Sequence, residues 1–304
     1  MNNSSKIAET KRDKAFNVFI YIFLTVALLI VLYPLIYVIS ASISEPVAVN
    51  SGRMWLWPVD ITFEGYKEIF SNRDIWQGYK MTIFYTVAGT LISLFITIPC
   101  AYAMARPDFY GKEIFTKFLL VTMFVSGGLI PGYLLIKSLG WINTVWAILI
   151  PGSASVYNIV VTRSFFQSSI PWEMQEAAII DGASTFKIFT RVILPLSAPI
   201  IAVMTLYYGV GRWNSYFDAL VYLSDKSLYP LQMVLRQILV LQDIQQSNVG
   251  VIDQNIVDAM TSKEQLASII KYGVMIVSSI PVIVFYPFIQ KYFAKGVMVG
   301  SLKG

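Results

Sequence analysis

Six stretches of this chain run for 19 residues or more without an Asp, Glu, Lys or Arg: 15–44, 81–105, 118–136, 138–162, 192–211 and 272–290. Leu, Ile, Val, Phe and Tyr dominate all six. A helix rises about 1.5 Å per residue and the hydrocarbon core of a bilayer is about 30 Å thick, so about 20 such residues cross it. A soluble domain carries roughly a quarter charged residues. Here 13% are charged and 56% are apolar. The expected fold is therefore all-α and integral to the membrane, with six transmembrane helices and both termini on one side.

Charge selects the side. With both termini cytoplasmic, the inner segments carry Lys6, Lys11, Arg12, Lys14, Arg106, Lys112, Lys117, Arg163, Lys187, Arg191, Lys291, Lys295 and Lys303, which is 13 of the 23 basic residues. The remaining basic residues are spread mainly over long outer segments near 45–80 and 212–271, which cross with little regard to charge. The expected layout is a cytoplasmic tail over 1–14, a single transmembrane domain over 15–291 and a cytoplasmic tail over 292–304. Ser40-Ala41-Ser42 resembles a leader cleavage site, but the apolar run before it is about twice a leader's 7–15 residues. An uncleaved anchor is expected. Trp55, Trp57 and Trp76 on the first outer segment suit a membrane-interface belt.

The residue inventory narrows the chemistry. There is no His and one Cys, Cys100, which removes His-based acid–base catalysis, His or Cys metal sites and any internal disulfide. Cys100 lies in an apolar run and reads as a small packed side chain. The runs hold no ionisable relay of the kind that proton-driven carriers place within their spans, and their hydropathy shows no inverted repeat. No Gly-x-x-x-x-Gly-Lys-Ser/Thr loop is present, so ATP is not expected to bind this chain. Prolines fall in every run: Pro34, Pro99, Pro131, Pro151, Pro195 with Pro199, and Pro281 with Pro287. Beside Ser126-Gly127-Gly128 and Gly132, Pro131 suits either close helix packing or a bending, pore-lining helix.

The segment 169–191 carries the sharpest signal. It reads Ser-Ile-Pro-Trp-Glu-Met-Gln-Glu-Ala-Ala-Ile-Ile-Asp-Gly-Ala-Ser-Thr-Phe-Lys-Ile-Phe-Thr-Arg. Pro171 suits a first helical position. Glu173 and Glu176 favour the positive end of the helix dipole. Gly182 can take the left-handed conformation that ends a helix, and Ser184 can cap the next one, running to Pro195. Ala177, Ala178 and Ala183 keep the surface small enough for a partner to approach. The expectation is a two-helix knob joined to the fifth span.

The string Glu-Ala-Ala-x-x-Asp-Gly-Ala, followed by Leu194-Pro195-Leu196, resembles the EAA loop of ABC-importer permeases with the type I (MetI-like) fold. That resemblance implies a coupling helix seated on an ATPase subunit, with Glu176, Ala177, Ala178, Asp181, Gly182 and Ala183 as ATPase-coupling residues. Tyr33-Pro34-Leu35, Ala101-Tyr102-Ala103-Met104-Ala105-Arg106, Trp213-Asn214 and the tail 291–304 resemble the carbohydrate branch and its MalG-like subunits. Ser126-Gly127-Gly128 with its flanks and the long segment 225–271 resemble the LplC/YtcP-like subset, linked to oligosaccharides of uronic acids or complex glycans. The resemblance implies binding-protein-dependent uptake of a carbohydrate, an oligosaccharide, across the bacterial cytoplasmic membrane by a multi-pass, non-catalytic subunit.

The implied partners are a second, related permease, two ATPase subunits that hold the ATP and Mg, and an extracellular solute-binding protein. The tail residues Lys295, Gly296, Gly300 and Lys303 would contact the ATPases, and part of 228–262 would reach into the binding protein. Tyr207, Tyr208, Trp213 and Asn214 are candidates for pore lining. A permease for a peptide or polyamine is the alternative within transport; a secondary carrier or a membrane-embedded enzyme is the alternative outside it.

Overall fold

A computed structural model describes residues 10–238, 270–284, 286 and 287. Every regular element among the described residues is helical. The chain divides into two units, residues 1–71 with 239–277 and residues 72–238 with 278–304.

In the first unit, α1 spans Lys11–Ser42. Thr10 and Asp13 start it reciprocally, the Thr10 amide donating to Asp13 Oδ2 at 2.9 Å and the Asp13 amide to Thr10 Oγ1 at 3.3 Å. Its 32 residues pass through Pro34 without a break, and only Ser40, Ala41 and Ser42 are buried. There the chain turns back on itself. Ser40 Oγ donates to the Leu56 carbonyl at 2.6 Å and Tyr66 OH to Ser42 Oγ at 2.9 Å. The turn carries α2 (Pro46–Asn50) and α3 (Glu64–Ser71). Ala41, Val49 and Met54 form its core, and Tyr37 meets Tyr272 edge-on at 5.9 Å. Trp55 and Trp57 are exposed.

The second unit is built on α4, Arg73–Ala105, whose 33 residues run unbroken through Pro99. Asn72 caps it by accepting from the Asp74 amide at 2.9 Å. The helix begins eight residues before the charge-free run, so the segment leading into that run ends in helix. It is followed by α5 (Lys112–Phe124) and α6 (Leu129–Ser138), α7 (Trp146–Leu149), α8 (Val156–Ser169), α9 (Trp172–Ile180), α10 (Thr185–Ile188), a π-helical turn at Phe189–Ile193, α11 (Leu194–Leu196), α12 (Ala198–Trp213) and α13 (Phe217–Tyr222). A last helix runs over Ile270–Val284.

Among the described residues, three of the apolar runs are broken. The run 118–136 bends by 111° between α5 and α6, at Gly128 with φ +82°. The run 138–162 parts into α7 and α8 across Pro151 and Gly152. The run 192–211 bends by 77° at Ser197, between the Thr185–Leu196 segment and α12. Two helices among the described residues, α1 and α4, are long and apolar enough to cross a membrane alone, and up to four if each bent pair is one span.

α4 packs along α8 and α12. Thr97 Oγ1 and Tyr208 OH share a hydrogen bond of 2.7 Å across the α4–α12 seam. At the other end of α4, the segment after the 3-10 turn Lys226–Leu228 lies directly on the helix. Tyr85 OH donates to the Leu228 carbonyl at 3.0 Å and the Leu231 amide to Thr82 Oγ1 at 2.7 Å. Residues 231–238 are helical, and Leu231, Met233, Val234 and Leu235 are buried.

Gly78 permits this approach. A Cβ there would lie 3.0 Å from Leu231 Cα and 3.1 Å from Val234 Cγ2. Gly78→Ala gains about 0.5–1 kcal/mol of helix propensity. Overpacking against a neighbouring backbone costs about 1–3 kcal/mol, so a lower thermal midpoint is expected for the variant in detergent. An unchanged or raised midpoint would show that residues 231–238 give way.

Candidate coupling site

The 169–191 segment forms the two-helix knob expected from its sequence. Pro171 sits one position earlier than expected, as the cap preceding Trp172–Ile180. The C-terminus of α9 closes with paired hydrogen bonds: the Ala183 amide donates to the Ala178 carbonyl at 2.9 Å, and the Gly182 amide to the Ile179 carbonyl at 2.9 Å. This is the Schellman arrangement, which needs a left-handed residue at the position Gly182 fills with φ +76°. Ser184 then caps α10, its Oγ accepting from the Lys187 amide at 3.4 Å. Helical geometry continues through the π turn to Leu196. At Ser197, Oγ donates to the Ile193 carbonyl at 2.5 Å and braces the bend into α12.

The knob has two chemically distinct sides. Glu173, Glu176, Ala177, Asp181 and Gly182 are exposed, and Ala178 and Ala183 lean half-buried on the core of Ile98, Ala101, Phe166 and Ile188. Large apolar side chains also stand free at the tip, with Ile180 84% and Phe186 76% exposed and Met174 and Ile179 beside them.

The inner side rests on the end of α4. Gln175 is the one buried residue of α9, at 7% exposure. Its Oε1 accepts from Tyr102 OH at 2.9 Å, and that oxygen accepts from Arg106 Nη1 at 3.1 Å. Arg106 holds Asp108 at two points, Nε to Oδ1 at 2.8 Å and Nη2 to Oδ2 at 2.5 Å. These bonds keep the Asp108 carboxyl below its ordinary value and the guanidinium firmly protonated. The guanidinium lies 5.5 Å from the centre of the Trp172 ring and 5.8 Å from that of Tyr102. A cavity of about 500 Å³ opens beside this group, lined by Tyr102, Arg106, Phe166, Trp172, Glu173 and Gln175 among others.

Gln175 escaped the sequence analysis for a physical reason. Met174, Ala177, Ala178, Ile179 and Ile180 put apolar side chains all round α9, so periodicity points to no buried face.

Over residues 7–299 the sequence matches the family described as the inner membrane component of binding-protein-dependent transport systems. The chain belongs to that family. The resemblance read from the knob is borne out, and the chain is a transport permease of the membrane. Protein LplC of Bacillus subtilis (strain 168) is 37% identical over 295 residues, covering 97% of each chain. The polygalacturonan/rhamnogalacturonan transport system permease protein YtcP of the same organism is 37% identical over 293 residues, covering 96% of this chain and all of that one. The structural likeness extends to a bacterial ABC transporter involved in importing the acidic polysaccharide alginate. That match has a TM-score of 0.84 at 34% identity and covers 95% of this chain and 100% of the other.

The permease's other candidate residues divide by burial. Tyr208 is buried with its hydroxyl on Thr97, and Trp213 is buried with Nε1 donating to the Ser278 carbonyl at 3.1 Å. Tyr207 and Asn214 are exposed. The tail residues Lys295, Gly296, Gly300 and Lys303, and the 239–262 portion of the segment expected to reach a binding protein, lie outside the described residues. A residue the sequence did not single out sits next to these. Arg212, one position past the fifth charge-free run, turns inward and donates to the carbonyls of Ile148, Leu149 at 3.0 Å and Pro151 at 3.3 Å. It satisfies the backbone of the broken fourth run where α7 ends.

Proposed function

We propose that this permease forms half of the pore of an ATP-driven importer that takes a carbohydrate, an oligosaccharide, from an extracellular binding protein. The sugars named in its relatives support the substrate class. In this reading a second, related permease completes the pore, and two ATPase subunits hold the ATP and Mg and bind the knob from the cytoplasmic side. Both termini lie on that side. Glu176, Ala177, Ala178, Asp181, Gly182 and Ala183 are the coupling residues. The tail positions Lys295, Gly296, Gly300 and Lys303 contact the ATPases. Tyr207 and Asn214, exposed along and beyond α12, are the better pore-lining candidates, because Tyr208 and Trp213 are occupied within the subunit.

The observation that carries this reading is the knob itself. A short helix is locked at its C-terminus, presents a free apolar tip with acidic neighbours, and is joined through near-continuous helix to α12. Such a part can receive a push and pass it to a membrane helix. Ile180→Asp tests it. Ile180 contributes almost nothing to the fold at 84% exposure, so insertion and pairing with the second permease are expected to persist. Co-purification of the ATPase subunits is expected to fall by about tenfold or more, the loss typical of a buried apolar anchor at an interface. Undiminished ATPase binding by the variant would remove the assignment.

A further inference from the structure

We propose that the hydrogen bond between Tyr102 and Gln175 is a latch that carries the movement of α9 directly into α4, with Arg106 and Trp172 as its positioning residues. This rests on the coupling role proposed for α9 and adds a second route into the membrane.

The covalent route from the knob to the membrane is indirect. Beyond the cap at Gly182 it passes a π-helical turn at Phe189–Ile193 and a 77° bend at Ser197 before α12 begins. The Tyr102–Gln175 contact instead joins the knob to α4 in a single step. Tyr102 stands on the last turn of an unbroken 33-residue helix. Its ring is fixed edge-on by Phe166 at 6.0 Å and tilted against Phe189 at 5.1 Å.

Its hydroxyl lies between two partners, donating to Gln175 and accepting from Arg106. Arg106 is itself pinned by the two-point Asp108 pair and spans the Tyr102 and Trp172 rings. The first residue of α9 and its one buried residue are thus both tied to the end of α4. Glutamine is seldom this buried, and a buried amide without a partner is costly, so Gln175 belongs where Tyr102 can reach it. The adjoining 500 Å³ cavity adds a reason for a directional bond. Where a helix borders open space, apolar contact alone can push it but not pull it. A hydrogen bond held in a fixed frame does both.

The test uses the full complex, with both permeases and both ATPases, in lipid nanodiscs. Spin labels are placed at Phe95→Cys on α4 and Glu173→Cys on α9, both exposed positions, in a Cys100→Ser background. Label separation is compared without nucleotide and after trapping with ATP, Mg and vanadate. With the latch intact the separation is expected to stay the same in both states. With Tyr102→Phe or Gln175→Leu it is expected to shift by several ångströms and broaden on trapping. The double variant should shift no further than either single one, and Gln175→Glu, which keeps the acceptor, should behave as the parent. Thermal midpoints confirm that each variant is folded.

A separation that shifts in the parent, or one that stays fixed in Tyr102→Phe, overturns the latch. The Ile180→Asp measurement separates the two ideas. If that variant loses its ATPases while Tyr102→Phe keeps a fixed separation, only the latch fails. If it retains them, the coupling role of α9 fails as well.

Discussion

Gly182→Val is expected to leave the permease folded and inserted while breaking the link between ATP hydrolysis and uptake. Space is not the issue, since a Cβ at Gly182 would meet nothing within 4 Å. The conformation is. Gly182 holds φ +76°, a region that costs an ordinary residue about 1–2 kcal/mol and a β-branched one more. The Val variant relieves that strain by leaving the left-handed region, and the Gly182 and Ala183 amide bonds that close α9 are lost with it.

The angle between α9 and α10 is then no longer fixed, so a push on the knob is no longer delivered to α12. Uptake in proteoliposomes is expected to fall by about tenfold or more, the factor that such strain represents, with ATP hydrolysis no longer stimulated by the loaded binding protein. Gly182→Asn should retain much of the activity, because Asn tolerates this conformation. Normal stimulation in the Val variant would show that the cap geometry is irrelevant to coupling.

The second large effect is on stability. Arg212→Met removes the donor shared by the carbonyls of Ile148, Leu149 and Pro151. A buried carbonyl left without a partner costs about 1–3 kcal/mol, and in the membrane there is little water to replace the guanidinium. Arg212 also offsets burial at Asp218, whose carboxyl is pushed up by desolvation and pulled back by the nearby positive charge. Its removal therefore also takes away the charge that offsets the burial of Asp218.

With three carbonyls affected, a loss of about 3 kcal/mol or more is expected, read as a lower thermal midpoint in detergent. Arg212→Lys should recover part of it, since one ammonium cannot match a planar fork reaching three oxygens. Gly89 bears on the same site, because a Cβ there would come within 3.0 Å of Arg212 Nε. A midpoint unchanged in Arg212→Met would mean that the break between α7 and α8 is held by other contacts.

What could be read from the sequence follows from which forces are local. The lipid requirement is a property of composition along the chain, so the apolar runs were visible without any partner. The C-cap at Gly182 and the N-cap at Ser184 are settled within a few residues, and both appear where the sequence puts them. Whether a run is straight is not local in this way. Pro34 and Pro99 sit inside unbroken helices, while the bends fall at Gly128 and Ser197. A proline in a helix leaves carbonyls whose fate depends on what packs nearby.

By itself, the sequence determined that this chain lives in lipid and that it carries a capped knob between its fourth and fifth apolar runs. The tertiary structure alone decided what that knob leans on. Tyr102, Arg106 and Asp108 lie more than 60 residues before Gln175, and no spacing rule connects them. Arg212 likewise meets Ile148 and Leu149 across more than 60 residues. Helical periodicity and capping are written in neighbouring residues. Partners for a buried polar group are chosen only when distant helices pack, because the cost of leaving such a group unpaired is set by the whole surrounding fold.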